Sequence, residues 1–75
     1  MNAKPEVSSS VESLLIKEVH YDPFMSVMTL TFSNGGIYEY IEVPEETYKE
    51  LTEAPSAGKY FHMNIKNKFQ FLRRK

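Results

Sequence analysis

An α+β domain is the fold class this sequence predicts, a three- to four-stranded antiparallel β-meander with two short helices packed on one face. Three observations predict it. Residues 26–32 alternate, with Met28, Leu30 and Phe32 on one side and Val27, Thr29 and Thr31 on the other, and Asn34-Gly35-Gly36 separates them from a second β-rich run at residues 37–43. Pro44-Glu45-Glu46 then opens a segment of helical spacing. Pro55-Ser56 closes that helix and offers a cap for another.

The elements follow in chain order. Residues 1–12 contain Pro5 and three consecutive serines, Ser8, Ser9 and Ser10, without apolar periodicity, so they read as a flexible leader to a single domain at residues 13–75. Leu14, Leu15, Ile16, Val19 and Tyr21 suit a first strand, ended by the turn chemistry of Asp22-Pro23. The alternating run and the run after the glycines make a hairpin. A two-residue loop would place Glu39 opposite Leu30. A longer loop sets Phe32 opposite Tyr38 and Leu30 opposite Tyr40, with Glu39 facing Thr31 on the far side, and is preferred because it makes both tyrosines core-facing.

In the first helix, Glu45 and Glu46 complement the helix dipole, Tyr48 and Leu51 form the apolar face, and Pro55 stops the chain after about three turns. Ser56 caps a second helix from Ala57 to about Asn67, along which Ala57, Phe61 and Ile65 recur every fourth residue. Gly58 weakens that helix by ~1 kcal/mol relative to alanine. Phe69 and Phe71 alternate with Lys68, Gln70 and Leu72 before the basic terminus, which suggests a short fourth, C-terminal strand. Phe61, Ile65, Phe69 and Phe71 are expected in the core, because so short a chain needs apolar mass.

Composition narrows the function classes. The chain of 75 residues holds one domain, and without cysteine it has neither a disulfide framework nor a cysteine-based zinc site. No apolar stretch approaches the roughly 20 residues that span a bilayer, and the N-terminus lacks a signal pattern, so a cytoplasmic location with no membrane contact is the expectation. His20 stands two residues from Asp22, a spacing that turns commonly produce, and His62 falls on a polar helix face. No phosphate loop, metal-ligand spacing or paired-carboxylate signature accompanies them, so neither enzyme activity nor a cofactor is implied. Glu42, Glu45, Glu46, Glu50 and Glu53 read as a solvated acidic face rather than a metal site.

Charge is segregated along the chain. All ten carboxylates lie at or before Glu53, whereas residues 54–75 carry Lys59, Lys66, Lys68, Arg73, Arg74 and Lys75 and no acid. A total of minus one thus conceals a basic C-terminal strip of plus six. Interleaved with aromatics, these cations suit single-stranded nucleic acid, in which phosphates meet cations and bases stack on rings. Lys59, Lys66, Lys68, Arg73 and Arg74 are the expected phosphate contacts, and Tyr60 or His62 the stacking groups. RNA or another polyanion is the expected partner. The competing readings are internal pairing of the strip with the acidic helix, and a protein-interaction module with no nucleic-acid partner.

The order and spacing of Tyr21-Asp22, Asn34-Gly35-Gly36, Tyr38-Glu39-Tyr40, Val43-Pro44, Ala54-Pro55-Ser56, Gly58, Tyr60-Phe61, Asn64-Ile65 and Phe69 resemble the KTSC domain family. That family is named for a domain at the C-terminus of some lysyl-tRNA synthetases, and it also occurs as small stand-alone proteins, which this chain is more similar to. The resemblance implies RNA binding by association with the synthetase and no established catalytic residues. It also places Phe69 and Phe71 where relatives commonly carry tyrosine, which favours burial of the two rings.

Overall fold

The computed structural model describes residues 7–10 and 15–75. Seven elements follow in order: β1 (Val7–Ser10), β2 (Ile16–Asp22), β3 (Val27–Phe32), β4 (Ile37–Tyr40), α1 (Glu45–Glu53), α2 (Ala57–Asn64) and β5 (Phe71–Arg73). All strands are antiparallel in one sheet of order β1-β2-β3-β4-β5. The expected meander is β2-β3-β4, and the expected C-terminal strand is β5, which returns beside β4 after the helices.

β1 was not expected. Val7 pairs with Tyr21 and Ser10 with Glu18, so four residues assigned above to a leader form a strand on the edge of β2. Strand pairing of this kind draws on main-chain hydrogen bonds, which apolar periodicity does not report. The rest of the expected leader, and Leu14 of the expected first strand, lie outside the described residues.

The hairpin keeps the expected faces in a different register. Leu30 is opposite Tyr38, Met28 opposite Tyr40 and Thr31 opposite Ile37, a shift of two residues from the expected pairs. Because side chains alternate with period two, that shift leaves Tyr38 and Tyr40 on the side of Leu30 and Phe32. A tight loop sets it: the Phe32 N–H donates to the Gly36 carbonyl at 2.8 Å and the Gly35 N–H to the Phe32 carbonyl at 2.9 Å. Gly35 has φ +94°, a conformation that costs glycine little, and Asn34 Oδ1 accepts from the Gly36 N–H at 2.9 Å.

A bulge in β2 explains how Ile16 and Val19, three apart, both turn inward. Ile16 pairs with Phe32 and Glu18 with Thr31, so Lys17 is the extra residue, and Ile16 and Val19 are both fully buried. The turn after β2 is built on Asp22, whose Oδ1 accepts from the N–H groups of Phe24 and Met25 at 2.9 and 3.2 Å.

Both helices cover the same sheet face; Ser56 caps α2 as expected, whereas Pro44, expected at the first helical position, lies one position before it. Pro44 is thus the N-cap of α1 with extended ψ, and Ser56 Oγ accepts from the Lys59 N–H at 3.2 Å to open α2. α2 ends at Asn64 rather than Asn67. The Lys66 N–H reaches back to the Phe61 carbonyl at 2.8 Å, and Asn67 takes φ +67°, a left-handed conformation asparagine tolerates.

The core joins Ile16, Val19, Tyr21, Met28, Leu30, Phe32 and Tyr40 of the sheet to Val43, Tyr48, Leu51, Ala57, Phe61 and Ile65. Tyr21 ties three elements together: its ring stacks on Tyr48 at 5.1 Å, and its buried hydroxyl donates to the Val43 carbonyl at 2.6 Å. Such burial of aromatic and branched side chains is what stabilises a cysteine-free domain of this size, at about 25 cal/mol per Å² of apolar area.

Candidate functional site

The two helices do not cover the whole inner sheet face. Register places Tyr38 beside Arg73 and Tyr40 beside Phe71 on that face, at the β4–β5 edge. Beyond the C-terminal end of α2 these residues face an open groove of about 540 Å³. Its walls come from the hairpin end (Phe32, Asn34, Gly36), from β4 and β5 (Tyr38, Tyr40, Phe71, Arg73), and from α2 and the residues after it (Phe61, His62, Lys66, Asn67).

Phenylalanine and tyrosine rings form the floor and deep end of the groove. Phe71 lies 5.2 Å from Tyr38 and 5.3 Å from Tyr40, while Phe61 closes the deep end edge-on to Phe32 at 5.3 Å and to Tyr40 at 5.9 Å. Arg73 places its guanidinium 5.5 Å from the centre of the Tyr38 ring, where the ring's negative face attracts a cation. Gly36 makes room at the hairpin end, since a Cβ there would come within 3.2 Å of Asn34 Oδ1 and 3.3 Å of Tyr38 Cε1.

No carboxylate lines this groove among the described residues, whereas Lys66, Arg73 and His62 do. Internal pairing of the basic strip with the acidic helix is not what the fold does: among the described residues neither Lys66 nor Arg73 pairs with an acidic side chain, Arg73 Nε donating to the main-chain oxygen of Lys75 at 3.2 Å, and Glu46 and Glu53 meet no cation. Glu50 instead accepts from the Tyr60 hydroxyl at 2.5 Å. Burial first, then the Glu50 hydrogen bond and the charges of Glu50 and Glu46, raise the Tyr60 pKa to about 12.

The expected contact residues therefore divide. His62, Lys66 and Arg73 come together in the groove. Lys68 flanks it, in a shallow depression shared with Asn67, Phe69, Gln70 and Phe71. Lys59 is exposed in the first turn of α2, and Tyr60 is half-buried against the core with its hydroxyl committed to Glu50. Arg74 is held on the opposite sheet face, donating to Glu39 at 3.1 Å.

One core expectation is corrected. Phe71 is 49% exposed, because α2 ends before reaching β5 and leaves this edge strand uncovered on the inner face. Phe69 is half-buried against the core, and Phe61 and Ile65 are enclosed as expected. Sequence reasoning missed Tyr38, Tyr40, Phe71, Asn34 and Asn67 as groove residues. Alternation had placed the two tyrosines on the correct face, but whether a helix covers that part of the face is not encoded in the alternation.

Comparison with known proteins agrees with this architecture. The sequence model of the KTSC domain matches residues 12–69. A lysine–tRNA ligase of Nostoc sp. is 45% identical over 60 residues, and the chain spans about a tenth of that enzyme's length, the match covering 80% of the chain and 11% of the ligase. A small protein of Tsukamurella paurometabola is 37% identical over 60 residues, covering 80% of this chain and 90% of its own. Among solved structures, a KTSC domain protein from Yersinia pestis superposes with a TM-score of 0.86 at 29% identity, covering 95% of this chain and all of the other.

Proposed function

The chain belongs to the KTSC domain family, and we propose that it is a small non-catalytic module that binds single-stranded RNA in the groove between α2 and the β4–β5 edge. One observation carries the reading: a groove lined by aromatic rings whose lining, among the described residues, includes two lysine or arginine cations and no carboxylate. Unpaired bases offer flat apolar faces to Tyr38 and Phe71, and the phosphates on either side of a seated base meet Lys66 and Arg73. Lys68, next to Phe71 at the groove's flank, extends the cationic path. That the Nostoc relative is a lysine–tRNA ligase supports RNA as the polyanion.

Titration of a fluorescently labelled seven-nucleotide oligouridylate at low salt tests the proposal. Binding is expected, lost on the double charge reversal of Lys66→Glu and Arg73→Glu, with the thermal midpoint retained. An oligomer that does not bind at low salt refutes the proposal. Binding that survives the double reversal moves the site out of the groove.

A further inference from the structure

The deep end of the groove holds a polar group that the fold does not use. Tyr40 is only 3% exposed, enclosed by Phe61, Phe71 and Tyr38, yet its hydroxyl has no hydrogen-bond partner among the described residues. Tyr21 supplies the contrast: at 2% exposure its hydroxyl donates to the Val43 carbonyl. A hydroxyl at this depth that bonds to nothing in the fold adds nothing to the core that phenylalanine would not supply. No fully enclosed side-chain oxygen or nitrogen among the described residues lacks a partner, so the Tyr40 hydroxyl retains some access, and the space that Tyr40 lines is the groove.

We propose that Tyr40 reads the base: its hydroxyl donates to a carbonyl acceptor on the edge of an unpaired nucleobase seated in the groove, between the phosphate contacts of Lys66 and Arg73. The inference rests on the RNA reading above and adds a preference for bases that carry such a carbonyl. The chemistry is suited to it. Burial first, then the neighbouring Tyr38, raises the Tyr40 pKa to about 12, so the phenol remains a proton donor far above neutral pH. Stacking alone accepts every base, because every base has a π-face, whereas a donor in a desolvated pocket penalises a base that leaves it unpaired. Asn34 also lines the groove, and with its Oδ1 engaged by the Gly36 N–H its amide nitrogen is the group left to contribute a second donor.

The test compares two oligomers of equal shape and charge, seven-nucleotide oligouridylate and its counterpart with 2,4-difluorotoluene replacing every uracil. The replacement keeps the ring and its stacking but exchanges the carbonyl acceptors for fluorines. The intact chain is expected to prefer uracil by about three- to tenfold, the worth of one net hydrogen bond. Tyr40→Phe, which keeps the ring, is expected to bind both oligomers equally at the weaker level, with an unchanged salt dependence and no loss of thermal stability. Two results overturn the assignment while leaving the RNA reading intact: a preference that persists in Tyr40→Phe, or equal binding of both oligomers by the unaltered chain. Failure of the unaltered chain to bind either oligomer at low salt overturns the RNA reading itself, and the assignment with it.

Discussion

Arg73 and Arg74 are adjacent and chemically identical, and the strand directs them to opposite faces, so replacing each with alanine separates a groove from a diffuse positive field. Arg73 lines the groove over the Tyr38 ring, whereas Arg74 pairs with Glu39 on the other face. The magnitude follows from counterion release. Single-stranded nucleic acid gives a logarithmic salt slope of about 0.7 per neutralised phosphate, so two groove cations, Lys66 and Arg73, give about 1.4. Between about 50 and 200 mM salt, affinity then falls roughly sevenfold. Arg73→Ala should leave a slope of about 0.7 and a fall of roughly threefold, and its affinity at low salt should drop. Arg74→Ala should leave the slope unchanged and cost only a few tenths of a kcal/mol in stability, the usual worth of a solvent-exposed pair. Fluorescence anisotropy of oligouridylate at several salt concentrations, with a urea melt of each variant, makes the comparison. Equal loss of slope in the two variants would refute the reasoning, because it would mean that charge count rather than position in the groove governs binding.

Two further outcomes test the fold and its titration. Leu30 is fully buried at the centre of the sheet, so Leu30→Ala should cost about 2–5 kcal/mol in urea unfolding; a loss under about 1 kcal/mol would contradict its enclosure. Tyr40 and Tyr60 both have pKa values raised to about 12, above the roughly 10 of an unfolded tyrosine. The folded state therefore holds these protons more tightly, so stability is unaffected by them below about pH 10 and falls as pH rises from there through about 12, because the unfolded chain ionises first. Thermal melts should show a midpoint that falls across that window and falls less in the Tyr40→Phe, Tyr60→Phe double variant; an equal fall in the double variant would assign the loss to other groups.

Much of the fold was legible because its signals are local. Alternation in residues 26–32 and 37–40 assigned the sheet faces correctly even though the register was off by two, since a two-residue shift preserves the face. Proline and serine marked both helix starts. The candidate site was legible only in part. His62, Lys66 and Arg73 could be read from the charge pattern, whereas Tyr38, Tyr40 and Phe71 could not, because stacking surface and core look alike in a sequence. β1 also escaped, since a run of serines carries no apolar period and its pairing with β2 is made by the main chain.

By itself, then, the sequence determined the α+β class, the inward face of each central strand, the helix boundaries set by Pro44, Pro55 and Ser56, and the division of charge at Glu53. Those are properties of neighbouring residues: period, cap chemistry and composition act over a few positions. Only the tertiary structure decided that α2 stops short of β5, leaving Phe71 and Arg73 open, and that Tyr40 lies deep with its hydroxyl unpaired among the described residues. It likewise sent Arg74 to Glu39 and Tyr60 to Glu50. Each of these depends on how far one element reaches across another. That reach is set by helix length, strand order and the packing of residues distant in the chain, which no local pattern records.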